Sequence, residues 1–170
     1  MPWVCLRCPE CSTLMNQLSR LLMRIPVPWV FVLAYLIGIA LETALRPSSG
    51  TASPAAVGIA GAVLFAVGAV IAAWALVLFY RARTTTIPGR TSSNLVTRGP
   101  YRFSRNPMYV GLSLAYLGEA GILRQFWPIM LLPLVIAYLN WVVIPVEETR
   151  LTDSFGPAYN DYRSRVRRWL

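Results

Sequence analysis

Long apolar runs separated by short arginine-bearing segments dominate the chain. The runs fall at about 26–45, 55–80, 107–123 and 127–146, each close to the ~20 residues that a membrane-spanning helix needs. Pro26, Pro28, Pro54, Pro107 and Pro128 stand at or near the starts of these runs, where the N–H that proline lacks would find no helical partner anyway. Pro133 lies inside the fourth run and predicts a kink there. Only a few residues around Arg124–Phe126 separate the last two runs, so these two form an antiparallel hairpin. The pattern predicts an all-α, polytopic membrane bundle of about four transmembrane helices. It ends in a C-terminal helical hairpin and a short amphipathic tail helix. Residues 1–25 form an N-terminal segment, and residues 26–170 a single embedded domain with a loop at 81–106 and a tail at 147–170.

Composition agrees, with 56% hydrophobic and 14% charged residues against about 25% charged in an ordinary globular chain. All 16 basic residues are arginine, and the chain contains no histidine. That excludes a histidine triad, a histidine metal site and an imidazole general base. Arg46 and Arg124 lie on one side of the expected bundle and the other 14 arginines on the opposite side. The positive-inside rule therefore places both termini and the 81–106 loop in the cytoplasm, with the cell (inner) membrane as the expected location. The arginines flank apolar spans instead of forming one soluble basic face, which argues against nucleic acid as a partner. Cys5, Cys8 and Cys11 have metal-loop spacing, but no fourth cysteine or histidine completes a closed zinc site. The expectation is a reduced cytoplasmic tail without metal, with a site shared in a dimer or a labile Fe–S centre as the alternative. The many small residues of the second run, among them Gly58, Gly61 and Gly68, are read as a packing face. Glu42 and Glu119 fall near the outer ends of spans, and Arg46 is one turn from Glu42, a spacing that allows pairing.

Polar chemistry gathers in two blocks, Leu95–Gly111 (LVTRGPYRFSRNPMYVG) and Glu147–Tyr162 (EETRLTDSFGPAYNDY). The hairpin brings them to the same face. In the first block Gly99-Pro100 marks a turn, and Pro107 forces Asn106 into extended backbone. Arg98, Arg102 and Arg105 offer guanidinium forks for carboxylates or phosphates, and Tyr101 and Tyr109 offer aromatic faces to a cation. In the second block, the adjacent Glu147 and Glu148 suit a cationic ligand or a ribose diol. Gly156 ends one short helix and Pro157 starts the next. Tyr159 and Tyr162 then share a face, and Val166 and Trp169 continue an apolar stripe that lies on the membrane or folds back onto the loop.

Taken jointly, LVTRGPYRFSRNPMY, Gly111, the Glu147-Glu148 pair, Leu151, Phe155-Gly156, Tyr159, Tyr162 and Val166 resemble the isoprenylcysteine carboxyl methyltransferase and phospholipid methyltransferase superfamily of integral membrane enzymes. The resemblance covers Thr91 to Leu170. It implies methyl transfer from S-adenosylmethionine to a lipophilic small-molecule or lipid acceptor at the cytoplasmic membrane face. It also implies cofactor contacts at Ser93, Asn94, Leu95, Val96, Gly99, Tyr101, Asn106, Pro107, Met108, Tyr109, Glu147 and Glu148. Glu148 and Arg105 are the catalytic candidates, Glu148 as proton acceptor. Two positions depart from the family pattern: Asn106 stands where histidine is common, and Val143 stands where the prenylcysteine enzymes carry an arginine. The second departure weakens the case for a substrate carboxylate of the prenylcysteine type. Two alternatives stand beside this reading. One is a non-enzymatic lipid-binding scaffold whose arginines grip anionic headgroups. The other is an NADPH-dependent membrane reductase of similar outline, although no G-x-G-x-x-G motif is found.

Overall fold

The computed structural model describes residues 27–45, 54–81 and 95–170. Helices α1 (Val27–Leu45) and α2 (Pro54–Arg81) come first, followed by a 3₁₀ turn at Gly99–Arg102 and α3 (Pro107–Leu123). Then come α4 (Phe126–Tyr138), a π-helical turn at Leu139–Val143, α5 (Ile144–Phe155) and α6 (Pro157–Arg165). No strand occurs among the described residues. Three segments are long and apolar enough to cross a membrane: Val27–Leu45, Ala55–Arg81 and the continuous run Phe126–Phe155. α3, the remaining expected span, has only 17 residues, short of the usual ~20. The expected all-α membrane bundle is therefore found, with three described helices of spanning length.

α2 and α3 make the most extensive interhelical contact, and glycine explains why. A Cβ on Gly111 would lie 2.6 Å from the Ala72 nitrogen, and one on Gly61 would lie 2.6 Å from that of Ile122. The two helices thus meet backbone to backbone, antiparallel, along a seam that passes Gly61, Gly68, Gly111 and Gly118. Lipid tails give helices no hydrophobic reason to associate, so close van der Waals approach at small residues supplies the attraction. The packing role expected for the small residues of α2 is what the structure shows. α1 packs chiefly on α4, and its Phe31 and Tyr35 also stand edge-on to Tyr116 of α3 at ring separations of 6.1 and 5.1 Å.

The α3–α4 hairpin turns where expected, through Arg124 in the left-handed conformation (φ 55°). Glu42 does something the sequence did not suggest. Its Oε2 accepts the Phe126 and Trp127 N–H groups, both at 3.0 Å, and so caps the positive N-terminus of α4. Arg46, its expected partner, lies outside the described residues.

Phe126–Phe155 is 30 residues long, or roughly 45 Å at 1.5 Å per residue, well beyond the ~30 Å hydrocarbon thickness. Its polar last part therefore emerges from the apolar layer, and that part carries Glu147 and Glu148. The helix stays α-helical through Pro133 and departs from α geometry later, at Leu139–Val143, where the Ile144 N–H bonds the Leu139 carbonyl. Pro145 has no N–H and crowds the carbonyl four residues back, so a wider turn just ahead of it relieves the ladder.

Candidate functional site

The loop before α3 is held in place by α2. Gly99 adopts φ +63°, which a side chain resists, and a Cβ there would lie 2.7 Å from Leu78 Cδ1. Tyr101 then packs edge-on against Phe79 at 5.4 Å. Leu95, Val96, Tyr101, Arg105 and Asn106 from this side face Glu147, Glu148 and Leu151 of α5 and Tyr159 and Tyr162 of α6 across a cleft. The two polar blocks of the sequence are thus brought together. The cavity is about 60 Å³, large enough to hold water.

The adjacent glutamates are used differently. Glu147 Oε1 accepts the Tyr109 hydroxyl at 2.6 Å, and its Oε2 takes no partner among the described residues. Glu148 is 6% exposed and is engaged at both oxygens. Arg168 binds it through a two-point fork, Nε to Oε1 at 3.1 Å and Nη2 to Oε2 at 2.8 Å. Arg105 Nη1 stands 3.2 Å from Oε1, close enough for charge pairing but not aligned to donate to it. Arg105 Nε and the Tyr101 hydroxyl are buried with no partner among the described residues. Such orphaned donors are costly unless a ligand or water satisfies them.

Burial governs the tyrosines of the cleft. It pushes the Tyr101 phenol far above its ordinary range, helped by Tyr162 and Glu147. It also raises Tyr159, where the Glu148 charge adds to the shift and Arg105 opposes it, and it pushes Tyr162 up to about 12. All three therefore remain protonated donors at neutral pH. Tyr162 uses its proton on the Tyr101 carbonyl at 2.7 Å. Arg168 is pushed upward mainly by its hydrogen bonds to Glu148.

Beyond α6 the tail turns back along the loop. Helix geometry ends at Arg165 and Val166 is extended, so the expected helical stripe through Val166 and Trp169 does not form. Instead the Arg105 N–H bonds the Arg167 carbonyl at 2.9 Å, while Ser104 Oγ and Asn106 Nδ2 donate to the Arg168 carbonyl at 3.2 and 3.0 Å. Folding back onto the loop was one of the two expected outcomes.

Of the residues expected at the site, Leu95, Val96, Tyr101, Arg105, Asn106, Glu147 and Glu148 line the cleft. Gly99, Pro107, Met108 and Tyr109 do not. Gly99 supports the loop against α2, Met108 packs on the hydrophobic core, and Tyr109 belongs to that core except for its hydroxyl. Pro107 is buried at the start of α3. Ser93 and Asn94 lie outside the described residues, as do Cys5, Cys8 and Cys11. Phe79 and the Arg168–Asn140 pair were not foreseen. Asn140 offered one signal, as a polar amide within an apolar run; Arg168 looked like one more orienting charge.

The sequence profile of the phospholipid methyltransferase family matches residues 57–158, six-tenths of the chain. The chain belongs to the phospholipid methyltransferase family. The matched region holds the α2–α3 seam, the loop and both carboxylates of this family member. It is 38% identical over 72 residues to the protein-S-isoprenylcysteine O-methyltransferase of Schizosaccharomyces pombe, which is 42% of this chain and 30% of that protein. It is 34% identical over 80 residues, 47% of this chain, to a nickel-cobalt-cadmium resistance protein of Alcaligenes xylosoxydans xylosoxydans. A cobalt-zinc-cadmium resistance protein of Cupriavidus metallidurans matches at the same identity and length. The chain spans about a third of the length of these curated relatives, 30% of the first and 37% of the other two. No solved structure matches this family member.

Proposed function

We propose that this protein transfers a methyl group from S-adenosylmethionine to a lipophilic acceptor at the cytoplasmic face of the membrane. The observation that carries the reading is the convergence of Glu147, the Arg105 Nε and Tyr101 hydroxyl donors left without partners among the described residues, and Tyr159 and Tyr162 at the edge of an apolar bundle, in a member of a methyltransferase family. The donor set suits the cofactor. Arg105 Nε can hold a carboxylate, tyrosine faces can meet a sulfonium, and the free Glu147 oxygen can hold a ribose hydroxyl or neutralise the cation. When bound, the cofactor supplies an electrophilic methyl group for in-line displacement. What the protein contributes is positioning and a fitted electrostatic environment.

Glu148 and Arg105 were the catalytic candidates from sequence. With both Glu148 oxygens engaged, proton acceptance from the acceptor falls to Glu147, and Glu148 serves to position Arg105. The arginine asymmetry of the sequence supports the cytoplasmic orientation. The test is transfer of labelled methyl from S-adenosylmethionine into the lipid phase of a membrane extract by purified protein. Transfer by wild type and its loss in Glu147→Gln, assayed at S-adenosylmethionine concentrations that saturate the variant, supports the reading. Folded wild type that labels no lipid, prenylated thiol or amine acceptor overturns it, and the scaffold then leads unless NADPH binds.

A further inference from the structure

Arg168 enters the molecule at an unusual junction. Its side chain forks onto Glu148, and its carbonyl accepts from Ser104 and Asn106 of the loop before α3. Its remaining Nη1 reaches Asn140 Oδ1 at 3.3 Å, an atom that also accepts the Trp169 indole N–H at 3.2 Å. Asn140 lies in the π-helical turn, and such turns are frequent at functional sites because they re-aim side chains that a regular helix would direct elsewhere. Trp169 packs against the hydrophobic core. None of Arg168, Asn140 and Trp169 lines the cleft, yet they tie together the two walls that do.

We propose that Arg168, seated by Asn140, is a positioning residue for the ligand site. It fixes the Glu148 carboxylate and, through its carbonyl, the Ser104 and Asn106 side chains in one register, so that Arg105 is presented to the cleft. The proposal rests on the methyl-transfer reading for the identity of the ligand but not for the existence of the clasp. A Glu–Arg pair alone would be ordinary structure. What points to positioning is that one residue holds α5 by its side chain and the loop by its carbonyl, with its third contact supplied by a distorted helical turn.

The experiment pairs equilibrium binding of S-adenosylhomocysteine with amide hydrogen exchange, on full-length protein in detergent. Arg168→Ala weakens binding by about tenfold or more, the scale of losing a hydrogen-bonded charge partner, and speeds exchange over residues 101–110 while α2 stays protected. Arg168→Lys keeps the charge without the fork and recovers only part of the affinity. Asn140→Ala is the milder variant should Arg168→Ala fail to fold, and it weakens binding severalfold at nearly unchanged melting temperature. Binding and loop exchange unaltered in Arg168→Ala and in Asn140→Ala overturn the proposal, as does a loss of thermal stability with affinity intact. If wild type binds no S-adenosylhomocysteine, the methyl-transfer reading fails, and the exchange result alone decides whether the clasp stands.

Discussion

Where α2 meets α3, backbone touches backbone, because Gly61, Gly68, Gly111 and Gly118 carry no side chain to hold the helices apart. At the polar end of the same bundle, long side chains make nearly all the contacts: Arg168 to Glu148 and Asn140, Tyr109 to Glu147, Tyr162 to the Tyr101 carbonyl. The difference teaches how a small membrane protein divides its labour. A backbone seam has few rotamers to vary and fixes the frame. A network of long side chains can yield to a ligand, since each bond is exchangeable for one to the incoming molecule. Rigidity in the first region lets the second rearrange around its cleft without losing its register.

The seam should break hardest. Gly68→Leu drives a side chain into the Ala115 nitrogen and the Gly111 carbonyl and costs at least the upper end of the ~1–3 kcal/mol typical of overpacking. Thermal unfolding and size-exclusion in detergent should show little folded protein. An unchanged melting temperature would mean that the helices do not meet by their backbones.

Among hydroxyl deletions at the polar end, the larger effect should come from Tyr109→Phe, which strips the donor from Glu147 Oε1. Losing a hydrogen bond to a charged group is worth ~1.5–3 kcal/mol, or a loss of about 10–100-fold in S-adenosylhomocysteine affinity, with the fold retained. Tyr162→Phe removes the bond to the Tyr101 carbonyl and should cost ~0.5–1.5 kcal/mol, read as a modest fall in melting temperature.

The same tyrosine predicts a pH effect. Its folded pKa is pushed from 10.0 up to about 12 by burial, so the unfolded chain loses this proton first as pH rises. Its stabilisation is complete below about 10, falls between 10 and 12, and is absent from Tyr162→Phe. Alkaline melts of the two proteins should converge across that interval. Asp161→Ala should matter least, because the exposed Asp161–Arg165 pair one turn apart is worth only ~0.3–0.5 kcal/mol.

How far the sequence could be read follows the same division. The seam was legible in the small residues of α2, and the apolar runs and the Arg124–Phe126 break gave the bundle and its hairpin. Seven residues that line the cleft were named: two arginine- and tyrosine-bearing blocks stood out against an apolar chain, and the family resemblance pointed to positions such as Leu95, Val96 and Asn106 within them. What sequence did not disclose depends on contacts between residues far apart in the chain. Glu42 caps α4 across 84 positions, which no local spacing reveals. Arg168 meets Asn140 only because the helix widens before Pro145 and the tail leaves helical geometry at Val166. Tyr109 was expected to touch the cofactor; its ring turned inward because position and periodicity on α3 place it in the core.

The central claim is that the two polar blocks form one site for S-adenosylmethionine, and calorimetric titration of S-adenosylhomocysteine into detergent-purified protein tests it most directly. The account predicts micromolar, saturable binding that is abolished in a Glu147→Ala, Glu148→Ala double variant, with NADPH giving no heat. Folded wild-type protein that gives no binding isotherm, or a double variant that binds as tightly as wild type, would contradict it.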